Sequence, residues 1–115
     1  MVFELMHASS GGWTEHVLHA FNFMDGADPL AGVLFDSAGN LCGTTSEGGV
    51  GENGIVFELM PDPKGKWKER VLHQFAFSKG SSNPNAGLIF DAAGDLYGTT
   101  LDDHYREGTV FELTR

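Results

Sequence analysis

The sequence predicts an all-β protein: two tandem four-stranded antiparallel β-meander repeats within one 115-residue domain. Three observations predict it. The chain repeats itself at a spacing of 54 residues. Clusters of Gly, Asp, Asn, Ser and Pro cut it into short apolar runs, the punctuation of strands and turns. No stretch carries an apolar stripe of helical period over about ten residues, and the apolar runs are rich in β-branched and aromatic residues.

The repeat sets the organisation. Val2-Phe3-Glu4-Leu5-Met6 recurs as Val56-Phe57-Glu58-Leu59-Met60, and again as Val110-Phe111-Glu112-Leu113. Trp13 matches Trp67, and Val17-Leu18-His19-Ala20-Phe21 matches Val71-Leu72-His73-Gln74-Phe75. After a one-residue insertion, Pro29 matches Pro84, Phe35-Asp36 matches Phe90-Asp91, and Gly43-Thr44-Thr45 matches Gly98-Thr99-Thr100. Over the two ungapped blocks, 24 of 42 positions are identical, which chance does not produce within one chain. Counted from the first match, repeat 1 is 2–55, repeat 2 is 56–109, and 110–115 begins a further strand.

Each element has a local reason. Residues 31–36 are an apolar run closed by Asp36. Ser37-Ala38-Gly39-Asn40 is turn chemistry: glycine takes positive φ freely, and Asp and Asn bond the local backbone. Leu41 to Thr45 returns antiparallel. Residues 46–54, with four glycines, are too glycine-rich for a strand and form a loop. Ile55 to Met60 is a third strand, 61–66 another loop, and Trp67 to Phe75 a fourth strand, with Lys68 and Arg70 interleaved among apolar positions. Four strands in about 54 residues, repeated in tandem, is the pattern of β-propeller blades. Near-continuous apolar inner strands suit a sheet covered on both faces. A small sandwich made by duplication is the competing architecture.

Sixteen acidic residues against seven basic ones give a net charge of −9. Phosphate binding needs a basic surface, so nucleic acid and anionic membrane are excluded as main partners. Residues 2–55 hold seven acidic residues and no Lys or Arg, whereas 56–109 hold eight acidic and six basic ones. No apolar run approaches the length that spans a bilayer. The N-terminus lacks the basic start and apolar core of a signal peptide.

No catalytic constellation stands out. Cys42 takes the place that Tyr97 takes in repeat 2, which marks a packing position. His19 and His73 are equivalent strand residues, and His7, His16 and His104 fit no zinc spacing. The turns after Asp36 and Asp91 lack the alternating oxygen ligands of a calcium loop. No metal or cofactor is therefore expected. The most individual segment is 101–107, where Asp102, Asp103, His104, Tyr105 and Arg106 are able to bind a polar ligand. Antiparallel order puts 22–30, 46–54, 76–85 and 101–108 at one end of the strands, the expected binding face.

The motif Gly94-Asp95-Leu96-Tyr97-Gly98-Thr99-Thr100, followed by Gly108-Thr109-Val110-Phe111-Glu112-Leu113, resembles the GloVer tandem repeat of bacterial proteins. So does Gly39-Asn40-Leu41-Cys42-Gly43-Thr44-Thr45 with Gly54-Ile55-Val56-Phe57-Glu58-Leu59. The resemblance covers essentially the whole chain. It implies propeller-like blades that occur in long arrays in exported or surface proteins, and it carries no catalytic residues. The chain departs from the pattern at Cys42, at His19 and His73 (Tyr is usual at all three), and in residues 101–107.

Two repeats are too few to close a propeller, which needs about four to eight blades. The expected function is a non-catalytic scaffold or interaction module that completes a propeller by homo-oligomerisation, with a trimer giving six blades. The 13–21 strand is expected to pair beside 109–114, within a chain or across a subunit boundary. The alternative is a carbohydrate-binding or hydrolytic propeller protein that uses its loops.

Overall fold

The computed structural model describes residues 1–102 and 107–115. Its strands form three antiparallel sheets. The first is a hairpin of β1 (Val2–His7) and β2 (Trp13–His19). The second is a four-stranded meander of β3 (Leu34–Phe35), β4 (Leu41–Thr45), β5 (Ile55–Pro61) and β6 (Trp67–Gln74). The third holds β7 (Ile89–Phe90), β8 (Leu96–Thr100) and β9 (Thr109–Leu113). A 3-10 turn at Phe77–Lys79 lies in the connector between the second and third sheets.

The protein is all-β and antiparallel, as the sequence predicts. The strands are grouped two, four and three rather than four and four. The repeat counted from Val2 starts on what is, in the central sheet, the third strand, so its boundaries cut across the sheets. The innermost strands are also shorter than expected: 31–36 yields only Leu34–Phe35, and 86–91 only Ile89–Phe90. Gly32 and Gly87 offer the ladder no side chain to pack, and a Cβ at either would meet open space.

Strand β5 of the central sheet is covered on both faces. One cluster joins Leu41, Ile55, Phe57 and Leu59 to Val2, Leu18 and Phe21 of the first sheet. The other joins Cys42 and Val56, with Leu34, Leu72 and Phe75, to Leu88, Leu96, Phe111 and Leu113 of the third. Successive residues of β5 alternate between the two clusters, the period of a strand. The two junctions repeat one another. Phe21 meets Phe57 edge-on at 5.1 Å, and Phe75 meets Phe111 at 5.1 Å, close to the centroid spacing aromatic pairs favour. His19 and His73 pack against Phe21 and Phe75 at 4.7 and 4.8 Å.

The Gly-Thr-Thr motif now has a cause. A Cβ on Gly43 would sit 2.6 Å from the Phe57 ring, and one on Gly98 2.5 Å from the Phe111 ring. Each glycine lets the cross-strand phenylalanine lie over the backbone. The following threonines tie the strand end: Thr45 Oγ1 donates to Glu47 O at 2.9 Å, and Thr100 Oγ1 to Asp102 O at 3.2 Å.

Stacking three sheets elongates the molecule to 53 × 31 × 24 Å. The radius of gyration is 14.9 Å, against about 13 Å for a compact domain of this length. Gly43→Ala is expected to destabilise the chain by about 1–3 kcal/mol, since the ring must shift within a packed core. Urea unfolding followed by tryptophan fluorescence measures it, and an unchanged midpoint would contradict this role for the glycine.

Candidate functional site

The two ends of the sheets differ. At the connector end, the loop after each inner hairpin bonds the connector that precedes it. Ala27 and Glu47 exchange backbone hydrogen bonds at 2.8 and 3.1 Å, and Ser82 and Asp102 do so at 3.0 and 3.2 Å. Asn83 links the two units: its N donates to Asn53 O at 2.8 Å and its Nδ2 to Ser46 O at 2.9 Å. The segments 22–30, 46–54 and 76–85, with Leu101 and Asp102, therefore share one end. Of the residues expected to bind a ligand, Asp102 is fixed there by its backbone. Asp103, His104, Tyr105 and Arg106 lie outside the described residues.

The opposite end is built from three copies of one turn. The Asp36 carboxylate accepts from Ala38 N and Asn40 N, Asp62 from Lys64 N and Lys66 N, and Asp91 from Ala93 N and Asp95 N, all between 2.8 and 3.0 Å. An aspartate that bonds amides two and four residues on closes a tight turn and fixes its own side chain. These aspartates are thus structural before they are anything else.

On this frame stands the most concentrated group of charges among the described residues. Glu58, on β5 and 1% exposed, accepts from Arg70 Nη2 at 2.5 Å and Arg115 Nη2 at 3.2 Å. Arg115 Nη2 also reaches Asp36 Oδ2 at 3.0 Å, and its guanidinium lies 5.7 Å from the Phe90 ring centroid. Asn40 Nδ2 donates to Asp36 Oδ2 at 2.9 Å. Burial raises the Asp36 pKa, but hydrogen bonds from Asn40, Arg115 and Ala38 outweigh it and hold the carboxyl at about 2. Arg115 is raised further by the Asp36 hydrogen bond, against the cost of its burial.

The third sheet shows what this group replaces. There Tyr97 Oη lies 3.2 Å from Asp91 Oδ2 and 2.8 Å from Glu112 Oε1. Asp91 and Glu112 are the repeat equivalents of Asp36 and Glu58, and Tyr97 is the equivalent of Cys42. Hydrogen bonding to Glu112, with burial and the two negative charges, pushes the tyrosine up to about 12. In the central sheet Cys42 is too short to reach either carboxylate. The guanidinium of Arg115, arriving from the next sheet, stands where the tyrosine hydroxyl would.

Sequence reasoning reached Cys42 as a packing position but missed Arg115. The signal was the loss of tyrosine beside two retained carboxylates, which removes the donor that Tyr97 supplies to both of their equivalents. Cys42 itself is fully buried, and burial, with the Glu58 charge, raises its thiol to about 11. A thiol held protonated is a poor nucleophile. A cleft of 270 Å³ opens beside Arg115, lined by Phe35, Asp36, Phe90 and Asp91. Among the described residues, no three or more His, Cys, Asp or Glu side chains are grouped to hold a metal ion. No helix among them is long and apolar enough to cross a membrane.

The chain belongs to the Gloeobacter/Verrucomicrobia repeat family, whose model matches residues 1–115. This agrees with the resemblance carried by the Gly-x-Leu-Tyr-Gly-Thr-Thr motif. No curated protein and no solved structure matches the chain.

Two outcomes follow. Arg115→Met is expected to cost about 1–2 kcal/mol, because it strips a donor from a buried carboxylate while Arg70 keeps the other. Cys42→Tyr, which crowds the guanidinium, is expected to be more stable combined with Arg115→Ala than alone; a double-mutant cycle by urea unfolding tests this, and additive effects would refute the substitution of one group for the other. Because the folded Asp36 pKa lies below its ordinary 3.8, its contribution is full above about pH 4 and is lost as pH falls through about 2. Asp36→Asn is expected to flatten that limb of the stability profile.

Proposed function

We propose that this chain is a non-catalytic, β-propeller-like repeat module, a scaffold for interaction that builds a full propeller by homo-oligomerisation. The observation that carries this reading is the state of the two outer sheets. Each exposes the apolar residues that its equivalents in the central sheet bury. On the first sheet Phe3, Leu5, Trp13 and Val17 face outward, whereas Phe57, Leu59, Trp67 and Val71 pack in the core. On the third sheet Ile89 and Val110 are exposed, whereas Leu34 and Val56 are packed.

The surface area supports the same reading. The accessible surface is 6972 Å², against about 6100 Å² for a folded monomer of this mass. The excess is close to one partner's share of a standard protein–protein interface. One sheet face is a copy of a receiving surface and the other a copy of a donating surface, so the contact is heterologous. Such contacts close into rings when the rotation allows. Three chains supply the blades of a six-bladed ring when the strand within 13–21 of each chain completes a three-stranded third sheet. Exposed ion pairs between the acidic first half and the Lys64–Arg70 segment add little energy, so apolar burial drives the association.

Light scattering at tens of micromolar and moderate salt tests the reading. The expected mass is three times that of the 12.4 kDa chain. A strictly monomeric, well-folded protein would refute assembly.

A further inference from the structure

We infer that β1 occupies a place that belongs, in the assembled protein, to β9 of a second copy of this chain. This exchange presupposes the assembly proposed above and specifies the contact that forms it.

Strand β2 is built to receive a Val-Phe-Glu-Leu strand. In the central sheet, β5 carries that sequence and pairs with β6 through Phe57↔Val71, Glu58↔Arg70 and Leu59↔Glu69. In the first sheet, β1 carries the same four residues and pairs with β2, the repeat equivalent of β6, in the same register: Phe3↔Val17, Glu4↔His16 and Leu5↔Glu15. Both ladders shift register at the same place, between Val2 and Phe3 and between Val56 and Phe57. Strand β9 is the third copy, Val110-Phe111-Glu112-Leu113. It pairs with β8, and its outer edge has no strand among the described residues. Two equivalent strands thus compete for one partner, and β1 holds it through a five-residue hairpin loop, 8–12.

Exposure shows which arrangement is complete. Val110 is 79% exposed, but its equivalents Val2 and Val56 are 5% and 0% exposed. On the central sheet, Phe35 and Val33 are 66% and 40% exposed because the first sheet has no inner strands to cover them. Their equivalents, Phe90 and Leu88, pack against Leu34 and Cys42. When β9 takes the place of β1 on the partner's β2, strands β7 and β8 travel with it. Ile89 and Tyr97 then come over the partner's Val33 and Phe35, as Leu34 and Cys42 come over Leu88 and Phe90. Val110 enters the partner's core in place of Val2, and the partner's His16 arrives beside Glu112, as Arg70 stands beside Glu58. Stacking the intact hairpin face-on against the third sheet would leave Val33 and Phe35 uncovered.

Releasing β1 costs little. Only Val2 of its six residues is buried, and the ladder bonds it gives up are remade by an identical stretch of β9. The net gain is the burial of Trp13 and Val17 on β2, of Val33 and Phe35, and of Ile89 and Val110, with the closure of the open β9 edge.

A redox-controlled lock tests the exchange on the full chain. Met6 and Thr14 are paired across β1 and β2, at the Cα spacing of antiparallel neighbours that a disulfide can bridge. With Met6→Cys and Thr14→Cys, the reduced protein is expected to assemble like the unmodified chain, and the oxidised protein to lose the assembled fraction at least tenfold. Buried Cys42 does not interfere. In a second variant, Thr14→Cys with Thr114→Cys, oxidation is expected to join different chains, since the β5–β6 register places these residues opposite one another. If the oxidised lock assembles as well as the reduced form, or no disulfide joins chains in the second variant, the exchange is wrong while the assembly reading stands. If the unmodified chain is monomeric, both fall.

Discussion

Burial of β5 on both faces is the constraint on which the rest depends. From Ile55 to Leu59 every residue is at most 1% exposed, including the charged Glu58. A strand in that position cannot use the ordinary alternation of apolar and polar residues. It needs a covering sheet on each side, which fixes the order of the stack, and it needs donors for any acid it carries. Arg70 from the neighbouring strand and Arg115 from the neighbouring sheet both answer that need. The charged cluster is therefore as much a packing feature as an electrostatic one: it joins the second and third sheets at one edge while Phe75 and Phe111 join them in the interior.

What the sequence makes legible is the part set by short-range chemistry and by repetition. The Asp-x-x-Gly-Asx turns at 36–40 and 91–95 announce themselves, because one side chain bonds two amides of its own turn. The tandem Val-Phe-Glu-Leu segments give the strands and their equivalence. Less legible is where one sheet ends and the next begins. A repeat has no intrinsic origin, so its count from Val2 does not coincide with the sheets, which among the described residues hold two, four and three strands. The inner strands looked longer than they are because Ala31-Gly32 and Ala86-Gly87 read as apolar but bring little surface to pack.

The site shows the same division. The gathering of the connectors and Gly-rich loops at one end follows from antiparallel order alone, and Asp102 sits there. The Arg115 cluster could not be found by spacing, because Asp36, Glu58 and Arg115 lie far apart in the chain and meet only through sheet stacking. Yet a trace of it was present in Cys42. A repeat lets each position be checked against its copy, and a lost tyrosine beside two kept carboxylates points to a donor supplied from elsewhere.

The meander order has a consequence for how the chain acquires its structure. Every ladder joins strands that are neighbours in sequence, and each sheet packs on the one that precedes or follows it. This order keeps the loop that closes each ladder short. It also means that order can spread along the stack one sheet at a time, as in other repeat architectures. The backbone amides of β4 and β5, held between two neighbours, are then the slowest to exchange with solvent, and the hairpin at the N-terminal end opens first. The same gradient that makes the first sheet the least protected part of the molecule also makes it the part most readily rearranged.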